Sequence, residues 1–185
     1  MFYYLAYGSN LSKEVLLEYC PSAQLIKTLF LENYTLEFRG KINKGYLTIK
    51  EKANSKIPIV IWKINKSDLA SLDDYEDYPN LYKKVIFKIN INNNEHEVLS
   101  YIMNQNYPFQ KPTEQYWKIV NKAYDELNFD KNILLNAYKN RFRPILFIIF
   151  SLKLILKNWN CITWFNIKFY EFISYSNFFK NIIKS

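Results

Sequence analysis

Apolar and polar positions along the 185-residue chain change period several times, and each change marks an element. Phe2 to Tyr7 is a continuous aromatic and aliphatic run ending at Gly8-Ser9-Asn10, which predicts a short buried strand and a tight loop. Ser12 then suits the cap of a helix through Tyr19, with Val15, Leu16 and Tyr19 on one face and Pro21 preventing its continuation. Strands are expected at Tyr34–Arg39 and Tyr46–Lys50, bracketed by Gly40 and Gly45. Another is expected at Ile57–Ile64, where Pro58 suggests a strand start or edge.

Ser67 reads as an N-cap, with Asp68 in the first turn and Leu69 and Leu72 pointing inward. Val85, Phe87, Ile89 and Ile91 alternate with Ile86, Lys88 and Asn90. An Asn-rich turn and a strand near Glu97–Met103 then complete a hairpin. Two helices follow, Thr113–Leu127 and Asp130–Lys139, the second with Ile133, Leu134, Ala137 and Tyr138 on one stripe. Strands and helices are interspersed without regular alternation, so the expected class is α+β with a mainly β core.

Composition narrows the function classes. Nearly half the residues are hydrophobic and 18% aromatic, which excludes disorder for want of buriable surface. The net charge of +8 invites a nucleic-acid reading, but only three basic residues are arginine, and the lysines are scattered without a cluster or recognition motif. No nucleic-acid partner is expected.

Residues 1–143 hold 20 basic and 16 acidic side chains, and residues 144–185 hold five and one, so half the excess charge lies in the last 42 residues. This tail also carries 11 of the 34 aromatics and no glycine, which puts the domain boundary after Arg143. Residues 144–185 read as a Lys/Ile/Phe/Asn-rich tail, helical or poorly ordered. Within it Ile145–Leu156 is 12 residues long and interrupted by Ser151 and Lys153, short of the roughly 20 a spanning helix needs. The alternatives left are contact with a membrane surface or a partner, cover for an apolar face of the domain, and read-through or frameshift of AT-rich DNA.

Cys20 and Cys161 fall in different regions and His96 is the single histidine, so neither a zinc site nor a histidine triad is supported. Met1–Leu5 lacks a positive segment followed by a long apolar run, so a cytoplasmic location is the default.

Two stretches could carry chemistry. In Tyr7-Gly8-Ser9-Asn10-Leu11 the backbone turns sharply into a helix start, where amide N–H groups suit a carboxylate or phosphate; Gly-Ser-Asn is equally ordinary turn chemistry. In Leu72-Asp73-Asp74-Tyr75-Glu76-Asp77-Tyr78-Pro79-Asn80-Leu81-Tyr82, helical spacing puts Glu76 on the inward stripe with Leu69 and Leu72, while Asp74 and Asp77 point aside and Asp73 is a rival. A carboxyl among tyrosines at the end of a buried stripe is desolvated, which raises its pKa toward the range of a general acid/base; the bland alternative is a solvated acidic run.

YLAYGSNL, then a β-branched strand ending in Trp62, then LDDYEDYPNLY resembles, in order and spacing, the γ-glutamylcyclotransferase-like (AIG2-like) family over roughly residues 2–140. The resemblance implies a small mixed β-barrel flanked by helices. It implies a loop of Tyr7, Gly8, Ser9, Asn10 and Leu11 that binds a γ-glutamyl group, Glu76 as the catalytic carboxylate, and Tyr82 as a pocket residue. The implied reaction cyclises a γ-glutamyl amino acid or amine to 5-oxoproline and releases the amine. The substrate's own α-amine is the nucleophile, so neither a metal nor a cofactor is needed. The chain departs from the family pattern at Ile59 and at Asp77, where glycine is common.

Overall fold

The computed structural model describes residues 1–139, so the expected tail of residues 144–185 lies outside the described residues. The strands are β1 (Phe2–Ala6), β2 (Gln24–Lys41), β3 (Lys44–Ile64), β4 (Tyr82–Ile91) and β5 (Asn94–Met103). The helices are α1 (Lys13–Leu17), α2 (Leu69–Tyr75), α3 (Glu114–Glu126) and α4 (Lys131–Lys139), with 3-10 turns at Ser9–Leu11 and Lys66–Asp68. The fold is α+β.

The sheet order is β2-β3-β1-β5-β4, with β1 in the middle, antiparallel to β3 and parallel to β5. The continuous apolar run predicted as a buried strand is thus the central strand of the five, as expected for a strand lacking a solvent face. Tyr4 opposes Trp62 on one side and Leu99 on the other. Leu5, Trp62 and Val98, together with Leu16, Leu72, Val120, Tyr124 and Leu134 from the helices, are fully buried and form the core. Cys20 is a free thiol in this core, pushed up to about 12 by burial and by nearby carboxylates.

The hairpins form for identifiable reasons. Asn92 and Asn93 both adopt positive φ, 52° and 69°, the pairing that matches strand twist in a two-residue turn. The alternation at Val85 to Asn90 appears as half-buried odd and exposed even positions. Thr113 caps α3 by accepting the Tyr116 N–H, and Ser12 caps α1 by accepting that of Val15. Ser67 does not cap α2. Its hydroxyl faces Asp68, which is buried and also accepts the Ser22 N–H and hydroxyl, tying the start of α2 to the residues after α1.

The strands predicted at Tyr34–Arg39 and Tyr46–Lys50 are only the outer halves of two long arms, and Ile57–Ile64 is continuous with the second. The inner half of β2 was not legible because it is an edge with weak alternation; Leu25 and Phe30 are exposed. Pro58 is tolerated inside β3 because it lies beyond Val60, the last residue paired to β1, so that stretch has only β2 beside it. The two arms bend together where the register jumps from Glu32↔Lys56 to Tyr34↔Glu51. Asn33 and Asn54, both at positive φ, are joined there by a bond from the Asn54 N–H to Asn33 Oδ1.

The expected closed barrel is not what forms. Past the bend the outer arms curl back toward β4 and β5, but no ladder joins the two edges among the described residues. Side chains occupy the gap. The Leu47 N–H donates to the Tyr116 hydroxyl and the Leu47 carbonyl accepts from the Tyr82 hydroxyl, while Thr48 Oγ1 accepts the Met103 N–H. The backbone groups that would extend the ladder are already satisfied, so the sheet stays open. Tyr34 packs edge-on against Phe87 across the same opening, centroids 5.7 Å apart.

Candidate functional site

β1 ends at Ala6, in the centre of the sheet, and the chain leaves it through Tyr7 and Gly8 into the Ser9–Leu11 turn. Gly8 sits where space is tight: a Cβ there would meet the Tyr116 hydroxyl at 3.0 Å. α2 ends beside this turn. Glu76 is its C-terminal cap residue, and the chain then reverses through Asp77 at φ 49°. A left-handed backbone is glycine's natural territory, which accounts for the glycine common there in the pattern that this chain resembles. Asp77 meets the demand as Asp and Asn can, its carboxylate accepting from Asn80 Nδ2.

The turn and the cap residue line one cavity of about 380 Å³. Tyr7, Gly8, Ser9, Asn10, Glu76 and Tyr82 all line it. Leu11 does not: its side chain is buried in the core and its N–H is spent on the Gly8 carbonyl, so it holds the turn and does not face the cavity. Asp73, the rival carboxylate, is engaged elsewhere, accepting from the Tyr101 hydroxyl at 2.5 Å and pairing with Lys84 at 2.7 Å.

Glu76 is held by two donors on one oxygen. Asn10 Nδ2 donates to Oε1 at 2.7 Å and the Tyr4 hydroxyl donates to the same atom at 3.2 Å. Among the described residues no hydrogen bond reaches Oε2, which leaves one carboxylate oxygen for the cavity. Burial pushes the carboxyl up to about 7, while the bonds from Tyr4 and Asn10 pull the other way. Desolvation wins, and the group is poised to take up and release a proton near neutrality.

Asn10 is the hub. Its Nδ2 also approaches the Tyr4 hydroxyl at 2.7 Å, its Oδ1 accepts from the Tyr19 hydroxyl, and its carbonyl accepts from Trp62 Nε1 at 3.0 Å. Tyr19 is stacked on Tyr75, ring centroids 4.1 Å apart, and the Tyr75 hydroxyl donates to Ser9 Oγ at 3.1 Å. Burial raises the Tyr4, Tyr7 and Tyr82 phenols well above their ordinary range, so they stay protonated as donors.

Sequence reasoning missed Tyr4, Tyr75, Tyr101 and Tyr116 as cavity residues, along with Lys41 and Lys44. For Tyr4 and Tyr101 the signal available was the choice of tyrosine over phenylalanine at buried strand positions, since a buried hydroxyl needs a partner; Tyr75 and Tyr116 lie on helices and carried no such signal. Among the described residues no group of His, Cys, Asp and Glu is arranged to hold a metal.

The family model described as gamma-glutamyl cyclotransferase, AIG2-like, matches residues 4–125. The gamma-glutamylcyclotransferases of Homo sapiens and Mus musculus are 34% and 32% identical to this chain over an alignment of 130 positions that covers 64% of it and 68% of each of them. The chain belongs to the gamma-glutamyl cyclotransferase, AIG2-like, family. A solved structure titled gamma-glutamyl cyclotransferase superimposes with a TM-score of 0.61 at 31% identity, over 68% of this chain and 79% of that one. The matched residues of this AIG2-like chain include the turn after β1, the end of α2, the β4–β5 hairpin and nearly all of α3, the elements that build the cavity. No helix of the described residues is long and apolar enough to cross a membrane.

Proposed function

We propose that this protein is a γ-glutamyl cyclotransferase that converts a γ-glutamyl amino acid or amine to 5-oxoproline, with Glu76 as general acid/base. The observation that carries the reading is the half-buried Glu76 carboxyl, lifted toward neutrality at the wall of a cavity that the adjoining glycine-bearing turn also lines. Membership of the family supports the reaction class.

The chemistry asks little of the protein. The Glu76 carboxylate removes a proton from the substrate's α-ammonium, and the free amine attacks the γ-carbonyl carbon of the same molecule. The new C–N bond closes the five-membered ring, and the C–N bond to the departing amine breaks as Glu76 returns the proton to that nitrogen. The ring nitrogen's surplus proton passes to the released amine, which departs as an ammonium. The base is regenerated, and nothing is oxidised or reduced. Bending the γ-glutamyl chain so that its ends meet supplies most of the acceleration, because the reaction is intramolecular and orientation is the main barrier. The Gly8–Asn10 turn supplies close-approaching polar groups for the substrate. Tyr7 and Tyr82, whose hydroxyls are held by the carbonyls of Tyr101 and Leu47, supply rigid walls.

The test is 5-oxoproline release from a panel of γ-glutamyl amino acids and amines by the wild-type protein and by Glu76→Gln. Release that the substitution cuts by about a thousandfold or more fits a lost general acid/base within a proximity mechanism. Ligand binding without turnover in the wild-type protein would instead favour a non-catalytic binding module of the same fold.

A further inference from the structure

α2 carries the proposed acid/base with little apolar packing of its own. It is seven residues long, Leu72 is its one buried side chain, and Glu76 follows as its cap residue. The residues after Glu76 offer less. Asp77 stands at φ 49°, and Tyr78, Pro79 and Asn80 are exposed, so apolar burial resumes only at Leu81 and Tyr82. A reversal of this kind ordinarily belongs to the loosely held part of a fold. A group that shuttles one proton between two substrate nitrogens has to stay within about half an ångström of its working position.

Polar tethers take over on both sides of Glu76. Before it, the Asp73 carboxylate accepts from the Tyr101 hydroxyl at 2.5 Å and from Lys84 Nζ at 2.7 Å, which ties the helix to β5 and β4. After it, a single residue ties the reversal. The Asn104 N–H donates to the Leu81 carbonyl at 2.9 Å, and its Nδ2 donates to the carbonyls of Pro79 and Asn80 at 3.0 and 2.8 Å. Three successive carbonyls thus converge on Asn104. A side-chain amide suits the task, because its NH₂ group has two protons to give and can serve two carbonyls at once.

A tether positions a group only if its own anchor is fixed. Asn104 directly follows Met103, which ends β5, is paired with Tyr82, and donates its N–H to Thr48 Oγ1 at 3.0 Å. Further along, residues 108–112 are fastened to the tip of the β2–β3 hairpin. The Gly40 and Gly45 N–H groups donate to the carbonyls of Pro108 and Lys111 at 3.1 and 2.9 Å, and the Gln110 N–H donates to the Phe38 carbonyl at 3.1 Å. The Arg39 guanidinium lies over the Phe109 ring, 4.2 Å from its centroid. Asn104 therefore reaches the reversal from a segment held on both sides.

We infer that Asn104 is a positioning residue for Glu76. It holds the reversal against the end of β5 and so keeps the carboxyl with Oε1 on the Asn10 amide, leaving Oε2 for the cavity. This inference rests on the reading of Glu76 as general acid/base. Asn104 is not among the residues that line the cavity, so it acts through the peptide and not on the substrate. The binding surfaces are held without it. Trp62 Nε1 fixes the Asn10 carbonyl, the Tyr75 hydroxyl fixes Ser9 Oγ, and the Leu47 carbonyl fixes the Tyr82 hydroxyl. Loosening the reversal therefore slows the chemistry and leaves binding nearly intact.

The experiment compares the wild-type protein with Asn104→Ala and with Asn104→Asp, which keeps the shape of the side chain but cannot donate when ionised. Asn94→Ala, at the other end of β5, is the control for lost stability alone. One readout is kcat and KM for 5-oxoproline release from γ-glutamyl-alanine. The other is the pair of NMR signals from the Asn10 side-chain amide, assigned by their absence from Asn10→Asp. In both Asn104 variants kcat should fall about tenfold to a hundredfold with KM within about twofold of wild type, Asn104→Asp losing at least as much as Asn104→Ala. The Asn10 amide signals should move toward those of a free amide in the same two variants and stay in place in Asn94→Ala. An unchanged kcat, or an equal loss in Asn94→Ala, overturns this inference and leaves the cyclotransferase reading standing. Asn10 signals unmoved in both Asn104 variants overturn it as well. If the wild-type protein releases no 5-oxoproline, the cyclotransferase reading falls, and the Asn10 signals alone decide whether Asn104 places the carboxyl. Thermal unfolding checks that each variant folds, and Asn104→Ala carries the comparison by itself if Asn104→Asp does not.

Discussion

The hydroxyl of Tyr19 donates to Oδ1 of Asn10, and this bond determines which end of the Asn10 amide faces Glu76. With Oδ1 committed to Tyr19, Nδ2 is left to donate to Glu76 at 2.7 Å. A reversed amide would put a carbonyl oxygen against the carboxylate. Tyr19 is in turn fixed by its stack on Tyr75, so a residue outside the loop sets the donor geometry at Glu76.

The pH dependence of turnover therefore carries two linked expectations. Glu76 must be ionised to accept the first proton, so kcat/KM should fall about tenfold per pH unit well below neutrality and level off above, with its midpoint near the carboxyl's value of about 7. Tyr19→Phe frees the amide to turn and removes a constraint that favours the ionised carboxylate. Its acid limb should move upward by about half a pH unit or more. An unchanged limb, with only a loss of thermal stability, would reduce Tyr19 to a packing role.

Glu76 should be a liability for folding at alkaline pH. Its folded-state pKa, about 7, is raised above the ordinary carboxylate value of 4.5. The protonated form is therefore the one the fold accommodates, fully so below pH 4.5, and the advantage is lost as the pH rises through 7. Glu76→Gln, which cannot ionise, should be more stable than wild type at pH 8 by on the order of 1–3 kcal/mol, allowing for the partial exposure of the carboxyl. The difference should close by pH 4.5. Chemical denaturation at the two pH values reads it directly, and equal gaps at both would contradict the burial argument.

Gly45→Ala tests the fastening of the hairpin tip. The added methyl would collide with the carbonyl oxygens of Gln110 and Lys111, both backbone atoms that move only if residues 108–112 peel away. A cost of about 1–3 kcal/mol is expected, seen as a fall in Tm of roughly 3–10 °C. Hydrogen exchange at the Gln110 amide, which is bonded to the Phe38 carbonyl, should accelerate with it. A variant as stable as wild type, with that amide still protected, would show that the close approach is not needed.

Much of the fold could be read without coordinates because its signals are local. The aromatic run Phe2–Tyr7, the alternation at Val85–Ile91, the Asn92-Asn93 turn and the caps at Ser12 and Thr113 each follow from the conformational preferences of a few adjacent residues. The position of Glu76 on the inward side of its helix follows from helical spacing in the same way. What resisted reading was non-local. The inner half of β2 is a strand only because β3 lies beside it, and Ser67 lost its capping role to contacts of Asp68 with Ser22, 46 residues earlier in the chain.

By itself, the amino-acid sequence determined the class of fold and the two stretches that line the cavity, since each depends on residue type and short-range spacing, while the preference for Glu76 over Asp73 rested on the family resemblance. Tertiary structure alone decided three things. The sheet stays open because the hydroxyls of Tyr82 and Tyr116 satisfy both backbone groups of Leu47. Leu11 is a core residue because its N–H and side chain are both spent inside the turn. Lys41 and Lys44 line the cavity, on a hairpin tip held by bonds from the Gly40 and Gly45 N–H groups to the Pro108 and Lys111 carbonyls. Each of these rests on a hydrogen bond or a burial between segments far apart in the chain, and pairings of that kind have no local signature for a sequence to display.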